Sequence, residues 1–65
     1  MREEIILALK NTLESNIGWH TMNINIMLDK TVGVAEHPDT LKTIEDELKK
    51  IAEYDDRLNV LNKYF

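Results

Sequence analysis

The residues of this 65-residue chain whose types could support chemistry fall into a few groups. His20 stands between Ile17 and Ile24. An imidazole there is either a pH-sensitive or ligand-contacting group, or a polar position that fixes helix register, as buried asparagines do in coiled coils. Glu36, His37 and Asp39 flank Pro38, with Gly33 just upstream. That set would hold a small metal ion or anion, or it would cap a helix and hold a turn. No second histidine lies three or four residues from His37, so metal-ligand spacing is missing. Trp19, Met22 and Ile26 would line a pocket for a flat ligand, or pack against another subunit. Such a pocket would form between subunits near Trp19 and His20, because one pair of helices lacks the concavity. The acids Glu45, Asp46, Glu47, Asp55 and Asp56 would either mimic a phosphate backbone or form a solvated helix face. No nucleophile–base arrangement, phosphate loop or glycine-rich cradle is present, so no enzyme, cofactor or metal is expected.

The elements that must position these residues follow from apolar spacing. Ile6, Leu9, Leu13, Ile17, His20, Ile24, Met27 and Leu28 recur mostly at three or four residues, with Glu3, Lys10 and Glu14 opposite. They share one broad helical face, and Gly18 falls on the other side with Asn11, Asn25 and Asp29. Ile5, Ala8, Trp19, Met22 and Ile26 form a second stripe, displaced by roughly a third of a turn. The alternation of Met22, Ile24 and Ile26 also fits a strand over residues 21–28, and asparagine is a poor helix former. The continuous stripe favours one helix over about residues 2–30. Residues 31–37 then make a turn around Gly33. A second helix over about residues 38–63 starts with Pro38 at its first position and Asp39 in its first turn. Its stripe is Leu41, Ile44, Leu48, Ile51, Tyr54, Leu58, Leu61 and Phe65, with a spacing near 3.5 as in coiled coils. Glu45–Lys49, Asp46–Lys50 and Glu53–Arg57 are spaced to pair on its outer side.

Length and composition bound what such helices can do. A chain this short forms a single domain with a marginal core, and small domains usually need a disulfide, a metal or a partner subunit. There is no cysteine. With disulfides and thiolate metal sites removed, self-association is the remaining staple. The net charge of −4 argues against nucleic-acid binding. The apolar run Ile5-Ile6-Leu7-Ala8-Leu9 is too short for a signal-peptide core, and no segment reaches the length of a membrane span. The expected fold is therefore all-α: an antiparallel two-helix hairpin that assembles, with its Trp19, Met22 and Ile26 stripe covered, into a homo-oligomeric four-helix bundle or larger.

Val32-Gly33-Val34-Ala35-Glu36-His37-Pro38-Asp39 resembles the V-G-x-x-E-H-P-D turn of short helical proteins of tailed bacteriophages. The acidic segment Ile51-Ala52-Glu53-Tyr54-Asp55-Asp56-Arg57-Leu58 adds to that likeness, which covers roughly residues 31–65. The resemblance implies a phage origin and a small oligomer, and it implies no activity. The expected function is thus a non-enzymatic interaction protein in the bacterial cytoplasm, a phage accessory protein engaging a host factor. The alternative is a small-molecule binding module with its ligand between subunits near Trp19 and His20.

Overall fold

The computed structural model describes residues 1–30 and 38–65. It consists of α1 (Arg2–Lys30) and α2 (Pro38–Tyr64), packed along each other. The helices run antiparallel. Arg2 Nη2 donates to the Phe65 carbonyl oxygen at 3.3 Å at one end of the pair, and His20 meets Glu47 further along. The hairpin is a rod of 51 × 16 × 12 Å, a single layer two helices wide.

Residues 21–28 belong to α1, so the helical reading of the Met-Asn-Ile-Asn-Ile stretch holds and the strand does not form. Polar side chains along α1 find partners without interrupting the helix. Serine, threonine and asparagine weaken helices by bonding to the backbone in other conformations. Here Asn16 and Thr21 turn their side chains onto the carbonyls of Thr12 and Ile17, four residues back, at 3.0 and 2.7 Å. Asn23 instead reaches across to α2. Glu3 and Glu4 in the first turn of α1, and Asp39 in that of α2, oppose the positive helix ends, while Lys63 lies in the last turn of α2. The proposed turn residues Gly33, Glu36 and His37 lie outside the described residues.

The half-buried positions trace one seam on each helix. On α1 they include Ile6, Lys10, Leu13, Ile17, His20, Ile24 and Met27, and on α2 Thr40, Ile44, Glu47, Ile51, Tyr54, Leu58 and Leu61. Both sets step by four and three, the 3.5-residue repeat of supercoiled helices. Among the described residues none is buried.

This seam corrects the expected stripes. Leu9 and Leu28 on α1, Leu41 and Leu48 on α2, and Phe65 just beyond α2 are exposed. Thr40 and Glu47 take the positions facing α1 that Leu41 and Leu48 were expected to hold. Ile44, Ile51, Tyr54, Leu58 and Leu61 keep their expected places, while choosing the more apolar neighbour misplaces two positions by one residue, one of which Glu47 takes as the acceptor for the His20 imidazole. The outer ion pairs differ as well. Asp46 pairs with Lys42 and Lys50 with Glu47, each at 3.8 Å, and Arg57 lies over the Tyr54 ring. Exposed pairs of this kind are nearly degenerate in energy, so spacing alone selects among them poorly.

Gly18 sits inside α1, and a Cβ built on it meets nothing within 4 Å. Gly18→Ala should therefore stabilise the fold by about 0.4–1 kcal/mol through the unfolded chain's entropy. Urea unfolding followed by circular dichroism measures this. A loss of stability would show that Gly18 serves a conformation or contact other than the exposed face of a helix.

Candidate functional site

The polar centre of the hairpin is built from both helices. His20 occupies a seam position of α1, between the turns carrying Ile17 and Ile24. Opposite it, Glu47 comes from the seam of α2, and the side chains of both are only 12 % exposed. An ionised carboxylate only accepts, so the His20 Nδ1–H donates to Glu47 Oε2. Asn23, one turn further along α1, donates to the same oxygen at 3.4 Å. Lys50 Nζ stands 3.8 Å from the other carboxylate oxygen.

The imidazole stacks on Tyr54, with ring centroids 5.8 Å apart and planes inclined by 12°. The Arg57 guanidinium covers the Tyr54 ring at 5.5 Å from its centroid. A continuous ladder, Glu47–His20–Tyr54–Arg57, thus runs between the helices and out to solvent. The hydrogen bond from His20 holds the Glu47 carboxyl below its ordinary value of 4.5. Burial opposes this, and Asn23 and the charges of His20 and Lys50 reinforce it.

A carboxylate on Nδ1 leaves Nε2 as the remaining basic atom, as in hydrolytic triads. Of the threonines, Thr21 donates to the Ile17 carbonyl at 2.7 Å and Thr43 to that of Asp39 at 2.8 Å. What the arrangement does directly is hold two helices in one register. Sliding α2 by one turn would leave Glu47 and His20 each without the other.

The remaining candidates are placed elsewhere. Trp19, Met22 and Ile26 lie on the outside of α1, so Trp19 and its neighbour His20 point in directions about 100° apart. Pro38 and Asp39 form the start of α2. Glu36 and His37 are outside the described residues, among which no group of three or more His, Asp or Glu gathers to hold a metal. The acids of α2 divide: Glu47 turns inward, while Glu45, Asp46, Asp55 and Asp56 are exposed. Among the described residues no helix is long and apolar enough to cross a membrane.

Shallow grooves flank the helix pair among the described residues, and two of them adjoin the outer apolar positions of α1. One, of about 420 Å³, is lined by Arg2, Ile5, Ile6, Leu9, Leu61 and Phe65. The other, of about 290 Å³, is lined by Asn23, Ile26, Met27, Thr43 and Glu47. Glu47 and Tyr54 went unrecognised as partners of His20 in the sequence. The available signal was a lone imidazole on an apolar stripe, which calls for an acceptor at the same level of the facing helix.

The lowered Glu47 pKa fixes the sign of an acid dependence. The contact adds stability above about pH 4.5, the ordinary carboxylate value, and loses it as the pH falls through the lower folded-state value. Urea midpoints of the protein and of Glu47→Gln, compared from about pH 7 to about pH 3, should differ most near neutrality and converge in acid. A constant difference across that range would contradict the assignment. Comparison of the chain with known proteins finds no matching family model, no matching curated protein and no matching solved structure.

Proposed function

We propose that this chain is a non-enzymatic, self-associating interaction protein, a helical hairpin that completes its core in a homo-oligomeric bundle and acts through contact with other proteins. The observation that carries this reading is the outer stripe of α1. Ile5, Trp19, Met22 and Ile26 are 53, 67, 63 and 45 % exposed, although they lie on a regular helical face. Thr12 and Ser15 separate Ile5 from Trp19, Met22 and Ile26, and exposed apolar clusters such as these last three mark contact sites. The surrounding sequence is also poor in charge: from Ile5 to Leu28 only Lys10 and Glu14 carry full charges at neutral pH. The resemblance of residues 32–39 to a phage protein turn supports a phage origin, and contact with a host factor is proposed on the exposed stripe. The competing reading, a small ligand between subunits near Trp19 and His20, loses support because His20 is engaged by Glu47 and Tyr54 while Trp19 faces away.

Light scattering on the purified protein at about 10–100 µM should give a mass at least twice the 7.6 kDa of one chain. Met22→Lys and Ile26→Glu should each weaken association by at least about tenfold, equivalent to about 1.4 kcal/mol. A single-chain mass throughout that range would overturn the proposal.

A further inference from the structure

We infer that α1 carries a second coiled-coil seam, and that its occupant is α1 of a second copy, antiparallel, about a two-fold axis between Thr12 and Ser15. This rests on the self-association proposed above and identifies the face and the geometry.

The seam is Ile5, Ala8, Thr12, Ser15, Trp19, Met22 and Ile26. These positions step by three and four without a break, every one is exposed, and none is charged. Their repeat is the same 3.5 residues as that of the seam facing α2, displaced by roughly two fifths of a turn, so the two seams lie on nearly opposite sides of α1. A helix with a single neighbour needs one such seam. Two in parallel register are what a helix between two neighbours requires, as in a four-helix bundle.

The order of side-chain sizes selects the occupant. Ala8, Thr12 and Ser15 form a small-residue section in the middle of the seam, followed by the large Trp19 and Met22. In a parallel pair each residue meets itself, so Trp19 opposes Trp19 and the small positions leave a gap. An antiparallel two-fold pair lets bulk meet hollow, with the self-complementarity an isologous contact demands. Trp19 of each copy lies over Ala8 of the other, Met22 over Ile5, and Thr12 beside Ser15, where the hydroxyls can bond. Shifting the antiparallel register by one heptad, so that Met22 lies over Thr12, sets Asp29 against Ile5 and is disfavoured by burial of its charge.

The dimensions are adequate. From Ile5 to Ile26 the seam runs about 32 Å. Standard interfaces bury about 600 Å² or more per partner, of which Trp19 alone can supply about 150–250 Å². Ile5 and Ile26 also line the two grooves beside the helix pair, so the seam is continuous with concave surface at both ends.

Disulfide trapping in the full chain tests this, aided by the absence of native cysteine. Thr12→Cys mixed with Ser15→Cys should give a cross-linked dimer on mild oxidation, at least about tenfold above Glu53→Cys on the charged face of α2. Ala8→Cys alone should not cross-link, because two antiparallel copies place those residues about 16 Å apart along the axis. Self-cross-linking of Ala8→Cys would establish a parallel pair and overturn the inference. An oligomer by light scattering whose Thr12 and Ser15 variants do not cross-link would also overturn it, leaving the broader self-association intact. A monomer would remove both.

Discussion

Two helices lying side by side touch along a line, and a side chain on that line is covered from one direction only. Every feature of this hairpin follows from that constraint. Its seams have regular coiled-coil spacing and apolar residues at most positions, yet among the described residues none reaches full burial. Hydrophobic stabilisation scales with area removed from water, at about 25 cal/mol per Å². A single layer 12 Å thick leaves much of that area unclaimed. With no cysteine to cross-link the chain, the self-association proposed above would supply that further layer.

The polar ladder through His20 makes sense within the same constraint. An apolar line of contact specifies distance well and register poorly, because one turn of leucine and isoleucine resembles the next. A histidine and a glutamate that satisfy each other at one level distinguish the native register from its neighbours, as single polar positions do in coiled coils. Partial exposure limits the desolvation that a fully buried pair would suffer. Tyr54 and Arg57 then extend the ladder outward, giving the imidazole an aromatic wall and the ring a cation.

Much of this was legible in the residues themselves. The apolar phase carried α1 through Gly18 and the Asn-rich stretch, because helical and strand periods diverge over so many turns. Pro38 and Asp39 marked the start of α2. The inner face of α2 was less legible. Leu41 and Leu48 are more apolar than Thr40 and Glu47, and hydropathy alone assigns the leucines to the contact. What decides between adjacent positions is complementarity with the other helix, which a pattern read along one helix does not contain. The site suffered similarly: Trp19 and His20 are adjacent in sequence and were grouped, although one helical step separates them onto different faces.

The central claim is that two helices alone are an incomplete core. The dependence of the thermal midpoint on chain concentration tests it most directly, because association that accompanies folding ties stability to concentration by mass action. Circular dichroism melts spanning about 1 µM to about 1 mM should show a midpoint rising steadily with concentration. A midpoint independent of concentration, with a cooperative transition at the lowest value, would show that the hairpin is stable as a single chain and contradict the account.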